Sequence, residues 1–329
     1  MIMKTHGKIA LLTAVLLCAA IIAGCGGQDQ AKKPKFPEKP LTYYSWNDPG
    51  SSGDQFVRAI CKAAEKQLGQ PINIVVKTGG NGAEALSEVI KAPADGYALS
   101  HYASSLSGFM SMPGFPYKPD DFEAFARVQE KNYMLAINAD LPIKNLDEFV
   151  EYARKNPEKL RITGSRVGGV HHQIAYTLAK KADFKITYVP AKGGSEALKN
   201  TLGGHVDGIV YTPIDMLQHV KSGKLRPIVN FTSQKDQNYP DVPLITETKY
   251  KFDPMYQING LMLKKGVPED VKAILVDAFK KAMDDPEFEQ FLIKADTRKG
   301  WKDPKDFQAE FVREYKESKD FMTEMGILK

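Results

Sequence analysis

RITGSRVGGVHHQIAYTLAKKADFKITYVPAKGGSEALKNTLGGHVDGIVY, residues 161–211, is the stretch whose pattern decides the fold. A short apolar run ends in a Gly-rich turn (Ile162-Thr163-Gly164-Ser165, then Gly168-Gly169), and an amphipathic segment follows. A second run, Ile186 to Pro190, has its own Gly turn, and a third spans Gly208 to Tyr211. The switch between continuous apolar runs and 3.6-spaced ones predicts strand, helix, strand, helix, strand. Such units make a parallel sheet whose loops gather at one edge, with helix N-termini aimed into a crevice. A ligand is expected there.

The N-terminus carries Lys4 and Lys8, an apolar segment from Ile9 to Ile22, and Ala23-Gly24-Cys25, which is the pattern of a signal peptide over residues 1–24. The apolar segment is shorter than the ~20 residues of a comfortable span. Ile22-Ala23-Gly24-Cys25 resembles the bacterial lipobox, which implies diacylation of Cys25 and a membrane-anchored, extracytoplasmic protein. Residues 25–40, with their Pro and Lys, read as a flexible tether. Loss of residues 1–24 removes two Lys and no acid, leaving 43 basic and 40 acidic residues, too balanced a charge for nucleic-acid binding. Of the three Cys, Cys18 leaves with the leader and Cys25 carries lipid, so Cys61 has no internal disulfide partner and reads as a buried apolar residue.

Further strands are predicted at Leu41–Trp46, Ile72–Val76 and Tyr97–Tyr102, each leading into a loop of small polar residues. The first loop, Asn47 to Asp54, runs into a helix and presents free N–H groups at the positive end of its dipole, a generic anion site. The third strand is expected to end in a loop at Ser104-Ser105. Tyr133 to Ile137 reads as a strand crossing into a second domain, Gln257 to Leu263 as one returning, and Asn145 as a helix N-cap. The aromatic residues Phe307, Phe311, Tyr315 and Phe321 recur at helical spacing and are assigned to packing. The resulting division is 41–136 plus 255–329 for domain one and 137–254 for domain two.

Gly80-x-Gly82-x-x-Ala85 matches a dinucleotide fingerprint, but Ser100-His101-Tyr102 stands where the ribose-binding acid should fall, so no cofactor is expected. Ser165, His171 or His172, and Asp207 can be ordered as a triad, yet no G-x-S-x-G elbow surrounds any Ser, and no enzyme is expected. Adjacent His171 and His172 point in different directions on a helix, and neither they nor His205 and His219 have metal-ligand spacing, so they read as surface or loop-capping residues. Arg166 and Lys192, beside Gly turns at predicted strand ends, can meet an anionic ligand or stay solvated.

The mature chain also resembles the extracytoplasmic solute receptors of tripartite tricarboxylate transporters, the Bug-type receptors. Among the pieces that carry the resemblance are Leu68-Gly69-Gln70-Pro71, Ala94-Asp95-Gly96-Tyr97-Ala98-Leu99, Val189-Pro190-x-Lys192-Gly193, Leu202-Gly203-Gly204-x-Val206-Asp207 and Pro240-Asp241-Val242-Pro243. The resemblance implies a two-domain α/β fold of the periplasmic-binding-protein type (type II), with crossing strands and a ligand cleft between the lobes. It further implies a small carboxylate held by backbone N–H groups and water from one loop of each domain, and delivery to multi-span membrane permease subunits by a monomer. The competing reading is a sensor that presents ligand to a membrane kinase. The expected first-domain residues are Trp46, Asn47, Asp48, Gly50, Ser51, Ser52, Asp54, Gly80, Ser104 and Ser105. From the second domain come Ser165, Arg166, Gly168, Gly169, Val170 and His171, then Ala191, Lys192, Gly193 and Tyr211. Trp46-Asn47 replaces the family's usual Pro-Phe, Val167, Val170 and Gln173 replace Gly, Ser and His, and Ala191 replaces Tyr. The shared grip is therefore expected to serve an altered ligand.

Overall fold

The computed structural model describes residues 35–328, of which Phe36 onward form one compact unit. The leader, Cys25 and most of the expected tether lie outside the described residues. The last tether residues are fastened to the body, which corrects the expectation of a flexible link as far as Pro40. Phe36 meets Tyr97 edge-on at 4.8 Å, Lys39 Nζ sits 4.4 Å over the same ring, and the Glu38 N–H donates to the Tyr97 hydroxyl.

The chain first lays down β1 (Leu41–Ser45), α1 (Ser52–Leu68), β2 (Ile72–Val76), α2 (Ala83–Lys91), β3 (Ala98–Ala103), α3 (Ser104–Ser111) and β4 (Phe122–Lys131). It then crosses into β5 (Met134–Asn138), α4 (Leu146–Lys155), β6 (Arg161–Thr163), α5 (Val170–Lys181), β7 (Thr187–Val189), α6 (Gly194–Leu202), β8 (Gly208–Tyr211), α7 (Pro213–Lys221) and β9 (Leu225–Asn230). It returns through β10 (Gln257–Lys264) to α8 (Glu269–Ala282), α9 (Pro286–Lys294), β11 (Arg298–Lys302) and α10 (Pro304–Glu324). Two sheets result, β11-β4-β10-β3-β1-β2 and β7-β6-β8-β5-β9, and each defines a lobe. The strands β6, β7 and β8 of the opening stretch are mutually parallel, as their βαβ pattern requires.

Local chemistry sets the ends of these elements. Ser51 caps α1 by accepting the Asp54 N–H, and Gly69, at φ 66°, closes it in the left-handed region. Asn145 caps α4 by accepting the Glu148 N–H. Ser104 and Ser105 open α3 rather than forming a loop, a difference from the sequence expectation. The Ser104 hydroxyl accepts the Ile258 N–H at 3.0 Å and so ties this helix start to β10.

The lobes are joined by two extended segments bonded to each other. The Phe231 N–H donates to the Tyr133 carbonyl, the Met255 N–H to the Phe231 carbonyl, and the Tyr133 hydroxyl to Gln257 Oε1. Each lobe has apolar packing of its own, around Phe56, Phe125 and Phe279 in the first and Phe149, Ile174 and Phe231 in the second. The first sheet also holds a buried row of uncharged polar groups. Tyr43 of β1 meets His101 of β3 at 3.3 Å, His101 neighbours Asn259 of β10, Asn259 donates to Gln129 of β4, and Gln129 donates to Thr297 at 2.7 Å.

Candidate functional site

A recess of about 480 Å3 opens between the lobes, within the ~300–1,000 Å3 of small-molecule sites. From the first lobe it is lined by Trp46, Asn47, Asp48 and Ser51–Gly53 in the loop after β1, by Thr78, Gly80 and Asn81 after β2, and by Ser105 and Phe109 of α3. Arg166 lines it from the second lobe and Gln257 from a crossing segment.

The loop after β1 is preorganised by its own side chains. Asp54 accepts the Gly50 N–H at 2.9 Å and the Arg58 guanidinium at 3.0 Å. Burial works to raise this carboxyl, but Arg58 and the Gly50 N–H outweigh it and hold it below its ordinary value. Asp54 thus shapes the turn from inside and does not face the recess. The N–H groups of Ser52 and Gly53, in the first turn of α1, have no acceptor among the described residues, as helix geometry dictates. They lie at the positive end of the dipole and can hold an anion. Trp46 forms a side wall: its indole N–H donates to the His101 carbonyl, and its ring meets Phe109 edge-on. The 3-10 turn Gly79–Gly82 makes room for that ring, since a Cβ at Gly82 (φ +101°) would lie 3.2 Å from Trp46 Cγ. The Gly80-x-Gly82 pattern therefore serves an aromatic wall in this structure.

The loop after β6 is arranged differently. The Gly168 N–H donates to His172 Nδ1, the Gly168 carbonyl accepts Gln173 Nε2, and the Gly169 N–H returns to the Arg166 carbonyl. Ser165 offers its carbonyl to the Tyr188 hydroxyl at 2.8 Å. Val170 faces a tighter crevice of about 80 Å3, shared with Ser104, Gln173 and the acids Glu310, Glu314 and Glu317 of α10. Burial pushes the Glu314 carboxyl up to about 7, against the hydrogen bond it accepts from Tyr102.

His171 and His172 are both buried, which corrects their assignment to the surface. They do point apart, but α5 is covered on both faces. His171 packs edge-on against Tyr133 and Tyr211, while His172 stacks on Tyr188 and meets Phe321. Burial lowers the His171 imidazole to about 3, helped by the Lys131 charge, and lowers His172 to about 4. Tyr211 lies over Gly194, where a Cβ would be 1.8 Å from its ring. Ala191 is buried, Gly193 caps α6, and Lys192 is exposed with its N–H donating to Glu196.

Of the residues expected at the ligand, the recess gathers Trp46, Asn47, Asp48, Ser51, Ser52, Gly80, Ser105 and Arg166. Gly50 and Asp54 support it from behind, Ser104, Gly168 and Val170 occupy the lobe–lobe packing, and His171 packs against Tyr211 of its own lobe and Tyr133 of a crossing segment. Thr78, Asn81, Phe109 and Gln257 were not singled out in the sequence. The strand–turn–helix pattern at Gly79–Gly82 was a signal for Asn81, whereas nothing local marked Gln257. No group of three or more His, Cys, Asp or Glu among the described residues is placed to hold a metal, and no described helix is long and apolar enough to cross a membrane.

Two α/β lobes, a pair of bonded crossing segments and a polar recess between the lobes define a two-lobed solute-binding protein. The chain belongs to the tripartite tricarboxylate transporter family of receptors, whose model matches residues 56–327. It is 30% identical, over 98% of its length and 96% of the relative's, to the UPF0065 protein in the gbd 5' region of Cupriavidus necator. In fold it is similar to a TctC solute-binding protein from Polaromonas solved without ligand (TM-score 0.80, 23% identity, covering 88% of this chain and 99% of that one). It is likewise similar to MatC from Rhodopseudomonas palustris with bound malate (TM-score 0.67, 24% identity, 87% and 99%).

Proposed function

We propose that this protein is an extracytoplasmic receptor that captures a small carboxylate between its lobes and delivers it to multi-span membrane subunits of a tripartite carrier. In this reading residues 1–24 are removed, lipid on Cys25 holds the body at the membrane, and the receptor works as a monomer. The observation that carries the reading is the start of α1: two backbone donors, Ser52 and Gly53, open into a recess with walls from both lobes. A carboxylate there accepts charge-assisted hydrogen bonds and sits at the positive helix end. Malate, the ligand of the similar fold MatC, belongs to the same chemical class. A ligand touching both lobes binds the closed form better than the open one, and that difference in affinity drives closure.

The test is a thermal-shift panel on the mature protein with di- and tricarboxylates, aromatic acids and amino acids, joined to native mass spectrometry of the protein as purified. At least one carboxylate should raise the melting temperature with a concentration dependence that follows mass action. If none does, and none co-purifies, the reading falls.

A further inference from the structure

The recess has one acidic side chain, Asp48, and one cationic side chain, which a single carboxylate on the α1 start leaves unused. Arg166 stands on its second-lobe wall, opposite the start of α1. Every other arginine among the described residues has a partner. Arg58 is held by Asp54, Arg127 by Glu130 and Glu310, and Arg161 by Asp207. Arg154 and Arg226 donate to backbone carbonyls, and Arg298 and Arg313 meet glutamates. The Arg166 guanidinium alone has neither an ion pair nor a hydrogen bond among the described residues. Its backbone is meanwhile fixed, because its carbonyl accepts the Gly169 N–H. A planar fork held on a firm loop, facing a cleft that already contains two anion donors, is suited to a second carboxylate and adds little for a neutral end group.

We propose that Arg166 sets the charge of the ligand. Its guanidinium takes the second acidic group of a ligand whose first carboxylate lies on the Ser52 and Gly53 N–H groups, so the cleft selects acids with two anionic ends over their half-amides. This assignment rests on the carboxylate reading above and adds a specificity-determining side chain to it. The ligand bridges the lobes through one backbone grip and one side-chain grip, and the side-chain grip discriminates.

The test is titration calorimetry on the mature protein with succinate, glutarate and adipate, each against its monoamide, which preserves length and shape and removes one charge. The best diacid should bind about tenfold or more tighter than its monoamide, as expected for a charged hydrogen-bonded pair. Arg166→Gln should weaken the diacid until the ratio is near one, with a much smaller fall in monoamide affinity, and should leave the melting temperature unchanged because the side chain is exposed. Arg166→Lys should restore part of the ratio. Equal binding of diacid and monoamide by the unaltered protein, or an unchanged ratio in Arg166→Gln, overturns the assignment while leaving carboxylate capture intact. Failure of every acid to bind removes the carboxylate reading and this assignment together.

Discussion

The loops after β1 and after β6 have the same local signature, a Gly- and Ser-containing turn running into a helix, yet they do different things. The first leaves the Ser52 and Gly53 N–H groups facing the inter-lobe recess. The second spends its Gly168 and Gly169 donors on His172 and on its own turn, sends Val170 toward the acids of α10, and contributes Arg166 to the lining of the recess. What separates them is the neighbourhood. The start of α1 fronts open space, while that of α5 is packed beneath the last turns of α10, with Gly168 so close to Met322 that a Cβ would lie 2.7 Å from its methyl. A helix start is an anion site only where the fold leaves it uncovered.

Three experiments break or sharpen that contrast, the substitutions read by stability and affinity first, from the larger effect to the smaller, and the pH series after them. The α10 cover depends on Arg127, which is 2% exposed and binds Glu130 at 2.6 Å and Glu310 at 2.9 Å. Arg127→Met leaves Glu310 short of a buried partner and should cost about 3 kcal/mol of unfolding free energy by urea titration. A loss below about 1 kcal/mol would show that Lys302 and Arg313 suffice to hold Glu310.

Glycine substitutions then separate the two loops by readout. Gly164→Ala puts a methyl 2.5 Å from His171 Cβ and should lower stability by about 1–3 kcal/mol, as overpacking does. Gly53→Ala collides with the end of the Asn47 side chain, which can swing aside, so stability should hold while carboxylate affinity falls severalfold. If the two variants behave alike, the loops are not specialised as described.

The third experiment is a pH series. His171 and His172 titrate near 6.5 when unfolded but only at about 3 and about 4 in the fold. The stability they contribute is complete above pH 6.5 and is lost as pH falls from there through about 4 for His172 and about 3 for His171, by about 1.4 kcal/mol per pH unit for each group. Glu314 runs the other way: its raised value of about 7 gives stability that is present at low pH and lost as pH rises through 7. His171→Phe, which keeps the edge-on contacts with Tyr133 and Tyr211, should flatten the acid limb of the stability profile and leave the limb near pH 7 unchanged. An unaltered acid limb would place the sensitivity elsewhere.

Most of the fold was legible because apolar runs and capping residues are local signals. The βαβ order of residues 161–211, the α4 cap at Asn145 and the aromatic face of α10 could each be read from a dozen residues or fewer. β4 could not, because Arg127, Gln129 and Glu130 break its apolar pattern, and their burial makes sense only once β11 and α10 arrive from about 170 residues away. The same limit hid Gln257 in the recess and the burial of His171 and His172. Periodicity showed that the two histidines diverge, but not that α10 and the Tyr133 segment would cover both sides.

β10 has a consequence for the order in which this chain can assemble. β3 and β4 do not bond to each other in the first sheet; both bond to β10, which runs between them. The row from Tyr43 through His101 and Asn259 to Gln129 is likewise broken without that strand. The second sheet uses only residues 134–230 and can close as soon as they are available. The lobe that begins the chain is therefore the one that finishes last, and a molecule interrupted before residue 264 would carry a completed second lobe beside an open, unpaired strand edge.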